Sequence, residues 1–170
     1  MNVSDLDSAS PDRARALLTA CCGAAPWVDA MLAARPFGDR ERLFAAADRA
    51  WAGLTPEQLA QAIARHPRLG ESRARAALTA REQAWSAGEQ SGVGSADDAG
   101  RAALAEGNDE YERRFGHTFI LCATGLAPGD MLASLRQRLG NDDATERAIT
   151  ARELHRITRL RLEKLLQEDA

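Results

Sequence analysis

The feature that most constrains this chain is its shortage of stiff side chains: valine occurs three times and isoleucine four in 170 residues. Alanine, leucine, arginine and glutamate fill most other positions, and these favour helix, whereas sheets are built largely on β-branched and aromatic residues. The expected fold is therefore all-α. At this length one hydrophobic core closes without disulfides or metal, so a single domain over residues 1–170 is expected.

Helix starts and stops are legible along the chain. Ser10 and Pro11 open one helix that stops at Gly23, and Pro26 and Pro36 bracket a second. Residues 1–9 carry little apolar character and are expected to form a flexible N-terminal tail. Asp39 caps a helix whose Leu43, Phe44, Ala47, Trp51 and Leu54 recur at three- and four-residue intervals and face the core. Thr55, Pro56 and Gln58 read as a capping-box start for a helix carrying Leu59 and Ile63, and Pro67 ends it near His66. Further helices are expected over about 72–91, 96–115, 128–139 and 143–167, interrupted by the Gly- and Ser-rich "SGVGSADDAG" and by Gly116, Gly125 and Gly140. The sum is a bundle of about eight or nine helices.

Net charge is −3, and arginines alternate with acids rather than forming a basic block, which argues against a nucleic-acid partner. No apolar run reaches the roughly 18 residues of a membrane span, and the first ten residues lack the pattern of a signal peptide. A cytoplasmic protein without membrane contact is expected. Three cysteines, two adjacent at Cys21 and Cys22 and one at Cys122, suit a reducing compartment and read as small buried or half-buried side chains.

Three places carry candidate chemistry. His66, in "AIARHPRLGE", stands where Pro67 forces the backbone out of helix; it either caps the helix end or serves as a proton donor and acceptor near neutral pH. In "AWSAGEQSGV", Ser86, Glu89 and Gln90 project from one helix side and offer hydroxyl, carboxylate and carboxamide to a planar urea or amide; a solvated helix face is the plain alternative. Gly88 and Gly92 nearby suggest a close approach by a ligand or another backbone. In "RRFGHTFILCATG", Gly116 ends a helix, and amides around Phe119, Ile120 and Leu121 would either open a new helix and bind an anion or carbonyl, or start a buried apolar helix. On the last helix Arg161 shares a side with Leu154 and Ile157; it snorkels past the edge or is held inward for a carboxylate. His117 reads as a pocket-wall residue and His155 as surface, and histidines this far apart make no metal site.

Taken together, "HPRLGE", "SAGEQSGV", "YERRFGHTFILCATG" and "ITRLRLEKLL" resemble the OHCU decarboxylase family of ureide metabolism, from about residue 10 to residue 167. The resemblance implies an all-helical fold and a cofactor-free decarboxylation of 2-oxo-4-hydroxy-4-carboxy-5-ureidoimidazoline to (S)-allantoin and carbon dioxide, the last step from urate. It assigns acid/base catalysis to His66 with Glu89 beside it, and substrate binding to Pro67, Ser86, Gln90, Phe119, Ile120, Leu121 and Arg161. Ser91 stands where alanine is common in the family. The ending "QEDA" lacks the Ser-Lys-Leu peroxisomal address of many eukaryotic members, in keeping with a bacterial cytoplasmic form. Relatives also suggest a homodimer, built on an exposed apolar face of the early helices. The rival from another class is a non-enzymatic helical protein-interaction module, with His66 merely capping.

Overall fold

The computed structural model describes residues 1–70 and 79–167. Among them are nine α-helices, one short 3-10 turn and no strand: α1 (Val3–Ser8), α2 (Pro11–Cys21), α3 (Ala25–Ala33), α4 (Arg40–Ala52), α5 (Pro56–Arg65), α6 (Ala80–Glu89), the turn Ser91–Ser95, α7 (Asp98–Phe115), α8 (Pro128–Arg138) and α9 (Asp143–Gln167). The all-α expectation is met. Several of its predicted start points are written in side-chain caps. Ser10 accepts from the Arg13 amide, Asp39 from Arg42 and Asp97 from Gly100, while Thr55 and Gln58 exchange bonds with each other's amides. Of the helix expected over 72–91, only the part from Thr79 lies within the described residues, and it ends at Glu89.

The chain packs as two compact units, one of Met1–Ala62 with the chain from His155 onward, the other of Ile63–Leu154. In the first unit α3 packs against both α2 and α4. Leu6, Leu18, Trp27, Met31 and Leu43 are fully buried there, each contributing roughly 1.5–3 kcal/mol through apolar burial. Trp27 keeps its indole N–H satisfied on the Ala47 carbonyl at 3.1 Å.

The expected N-terminal tail is instead helix α1. Asn2 and Asp5 form a reciprocal capping box, and Leu6 enters the core. Asp7 then accepts from the amides of Phe37 and Gly38 at 2.8 and 2.9 Å, while Arg35 donates to the Asp7 carbonyl at 2.6 Å. His155, read as surface, is half-buried: its ring stacks on Trp51 at 4.9 Å and Nε2 lies 3.0 Å from Asp48. Cys21, Cys22 and Cys122 are all buried. The described residues expose no large hydrophobic side chain. No described helix is long and apolar enough to cross a membrane.

In the second unit α7 packs on α8 around Leu69, Val93, Leu104, Tyr111, Phe119, Met131 and Leu135. Gly107 permits that contact, since a β-carbon there would stand 2.6 Å from the Leu135 side chain. Of the candidate site residues, Phe119 belongs to this core and Leu121 packs against it.

Candidate active site

His66 sits one residue past α5, its amide bonded to the Ile63 carbonyl at 2.9 Å, and it is only 9% exposed. The backbone on either side is tied down. Before it, Arg65 donates to Glu82 of α6 at 2.9 Å. After it, Arg68 donates to Glu112 at 3.0 Å and to Asp109, both on α7. The Leu69 carbonyl accepts from Asn108 of α7 at 2.8 Å, and the Gly70 amide donates to the Gln90 side chain at 2.9 Å. Gly70 has φ +85°, a left-handed conformation that a residue with a β-carbon rarely adopts. A five-residue loop is thus held by two helices, and the imidazole it carries has little freedom to wander.

Glu82 does double service at this point. It closes the capping box of α6 with Thr79 and receives Arg65. Burial pushes its carboxyl up, but the Thr79 amide and the Arg65 guanidinium outweigh this and hold it below its ordinary value. Further along the same helix, Ser86 and Glu89 are each 7% exposed, so the solvated-face alternative fails for both. Gln90 lies just beyond the helix as its cap, half-buried, with Oε1 on Gly70. Of the two nearby glycines, Gly92 marks a close approach by backbone: an added β-carbon would stand 2.3 Å from the Leu126 carbonyl oxygen. Gly88 faces open space.

The stretch after α7 corrects an expectation. No helix opens at Phe119; residues 117–123 are irregular, and α8 begins at Pro128. Gly116, at φ +74°, ends α7 in the left-handed conformation. From there Phe119 and Ile120, both 2% exposed, run through the core with half-buried Leu121. Side chains substitute for the missing ladder: Arg138 donates to the Ile120 carbonyl at 2.7 Å, and the Cys122 amide donates to Glu153 at 2.8 Å.

Arg138 is the centre of a buried network that sequence reasoning missed. Its guanidinium meets Glu146 at 2.5 Å and Thr150 at 3.0 Å, and lies 4.5 Å from the centre of the Phe119 ring. Glu146 also receives the Tyr111 hydroxyl and, at 2.7 Å, the Asn141 amide. Burial raises the Glu146 carboxyl, yet these donors more than compensate and leave it below its ordinary value; burial and the Glu146 acceptor push the Tyr111 hydroxyl well up. The signal was present in the spacing. Met131, Leu135 and Arg138 share one stripe of α8, as Leu104, Asn108 and Tyr111 share one of α7. A polar residue on such a stripe is a buried one.

Of the remaining candidates, Pro67 is half-buried beside His66. His117 is half-buried too, its ring edge-on to Tyr111 at 5.5 Å. Arg161 belongs to the other unit, is 5% exposed and points a guanidinium nitrogen at the Ala20 carbonyl at 3.4 Å; it is held inward, and the snorkel is excluded. His66, Pro67, Ser86, Glu89, Gln90, Phe119, Ile120 and Leu121 all lie in the second unit. No cluster of three His, Cys, Asp or Glu suited to a metal ion occurs among the described residues.

Fold and site define an all-helical protein that keeps an imidazole, a carboxylate and a hydroxyl buried on an anchored loop and the helix that follows. The chain belongs to the OHCU decarboxylase family, whose model matches residues 7–163. It is 30% identical over 151 residues to the uric acid degradation bifunctional protein TTL of Arabidopsis thaliana, covering 88% of this chain and 46% of that protein. To the 2-oxo-4-hydroxy-4-carboxy-5-ureidoimidazoline decarboxylase of Amia calva it is 39% identical over 105 residues, covering 60% of this chain and 58% of the relative. The chain thus spans about half the length of these two relatives. Its fold is similar to a crystal structure of OHCU decarboxylase in the presence of (S)-allantoin, with a TM-score of 0.74 and 27% identity over 88% of this chain and 96% of that one.

Proposed function

We propose that this protein decarboxylates 2-oxo-4-hydroxy-4-carboxy-5-ureidoimidazoline to (S)-allantoin and carbon dioxide, without a cofactor. The observation that carries the reading is the burial of His66, Ser86 and Glu89 within one compact unit of a chain matched to this family over most of its length. Buried polar groups on adjoining segments are costly for stability and are commonly found at sites of function.

The substrate supplies its own electron sink. When the C–C bond to the carboxylate breaks, carbon dioxide departs and the electron pair left at C4 flows into the neighbouring ring C=N. The protein has then to orient the ring and deliver one proton. His66 is the donor in this proposal, Glu89 steadies its ring, and protonation on one face sets the S configuration. Because Gln90 commits its carbonyl oxygen to Gly70, the group it offers to the ureido arm is its amide N–H2, with the Ser86 hydroxyl beside it. The Phe119–Leu121 backbone offers amides to a substrate oxygen.

The decisive experiment follows circular dichroism after adding freshly generated substrate. Optically active allantoin with carbon dioxide release and no ammonia supports the reading; only racemic product at the uncatalysed rate overturns it and favours an interaction module. His66→Asn retains size and some hydrogen bonding but loses the titrating group, so turnover should collapse. Arg161→Lys keeps charge and loses the bidentate fork; an unchanged KM would remove Arg161 from the ligand contacts.

A further inference from the structure

We propose that Asn108 is a positioning residue for this reaction, setting the His66 imidazole by gripping the loop three residues further along the chain. The proposal rests on the acid/base role of His66 given above. Asn108 is fully buried on α7, on the stripe between Leu104 and Tyr111. Its side-chain N–H2 donates to the Leu69 carbonyl at 2.8 Å, while its own Oδ1 has no hydrogen-bond partner among the described residues.

That arrangement is a poor bargain for stability alone. One bond to a loop carbonyl is made, and one buried acceptor is left unsatisfied, where an apolar side chain would fill the stripe at no such cost. What the asparagine does achieve is geometric. Of the four anchors on the loop, Arg65 and Arg68 act through long flexible side chains, with Asp109 and Glu112 partly open to water. Gln90 holds the exposed end at Gly70. Asn108 has a short, rigid side chain on the middle of a long helix, and it fixes Leu69, which is itself packed in the core. Between Leu69 and the end of α5 stand only His66, Pro67 and Arg68, and Pro67 removes one backbone rotation. Fixing Leu69 therefore fixes the imidazole.

The test compares Asn108→Leu with the wild type. The exchange removes the orphaned oxygen and orphans the Leu69 carbonyl, so the melting temperature should move little. Turnover should fall about ten- to a hundredfold, as expected when a catalytic group is displaced by an ångström or less, while KM changes less than about twofold. The imidazole signal of His66 in a proton–carbon NMR spectrum, identified by its loss in His66→Asn, should shift or broaden. Asn108→Ala, which removes the donor without placing an ionisable group in the core, provides the same comparison should the leucine variant not fold. A folded variant with wild-type turnover overturns the proposal. So does a fall in turnover that merely tracks lost stability with the His66 signal unmoved. If His66→Asn itself keeps full turnover, the acid/base reading falls instead, whatever Asn108 does.

Discussion

Two irregular stretches of the second unit are pinned by opposite means. The loop from His66 to Gly70 is held by a mixed set of side chains: Glu82 and Asn108 are buried, whereas Gln90 and Glu112 are half-buried and Asp109 is exposed, so part of its polar anchoring trades with water. The stretch from His117 to Ala123 buries Phe119, Ile120, Cys122 and Ala123, and at Ile120 it is held by the buried charged network of Arg138, Glu146, Tyr111 and Thr150. A peptide group outside a helix needs a partner in either place. At the wet contacts of the loop, those of Arg68 and Gly70, a weak partner serves because water can replace it. In the dry setting the partner must be strong, and removing it leaves a stranded charge.

The largest effect should come from the dry stretch. Arg138→Met strands Glu146 and should destabilise the fold by about 3–5 kcal/mol in chemical denaturation; adding Glu146→Met should restore part of the loss, because no lone charge remains. If the single variant cost no more than a surface substitution, the contrast between the two stretches would be wrong. The same network gives stability a pH signature with two edges. Glu146 titrates below its ordinary 4.5 in the folded chain, so its contribution is complete above that value and is lost as pH falls through the folded pKa. Tyr111 titrates above its ordinary 10.0, so between the two values the unfolded chain gives up the proton first and stability declines as pH rises past 10. Arg138→Met should blunt the acid edge in a melting series across pH.

Smaller effects belong to the loop. Gln90→Leu withdraws the acceptor from an exposed amide that water can then serve, at a cost of about 0.5–1.5 kcal/mol, yet turnover should drop by more than that stability loss explains. Arg68→Gln should cost under about 1 kcal/mol, and raising the salt concentration should erase much of the difference, as for a partly exposed ion pair. An Arg68→Gln penalty that survives at about 1 M salt would place this pair with the dry network instead.

This contrast also explains what could be read from the sequence. Helix starts were legible because capping is local: Ser10, Asp39, Thr55 and Asp97 each act within three residues of themselves. Even α1 was written this way in Asn2 and Asp5, but nothing nearby announced that Leu6 would find a core to enter. The His66 exit was equally local, through Pro67. What escaped was the long-range pairing, such as Arg138 with the Ile120 carbonyl or Asn108 with Leu69, since an arginine or asparagine in a helix looks the same by composition whether it faces water or core. Stripe position distinguishes the two, and by that measure both residues, together with Arg161, fall among leucines and other core positions. Among the site residues, Ser86 and Glu89 could be placed on one helix side by spacing, but their burial depends on contacts far along the chain.

The three enclosed thiols offer a clock for each half of the molecule. Cys21 and Cys22 lie in the first unit and Cys122 in the second, within the stretch from His117 to Ala123. Burial raises the Cys22 thiol above its ordinary value, so little of it is in the reactive thiolate form while the fold is closed. Alkylation followed by peptide mass mapping will then report when each compartment breathes, and whether substrate quiets one before the other.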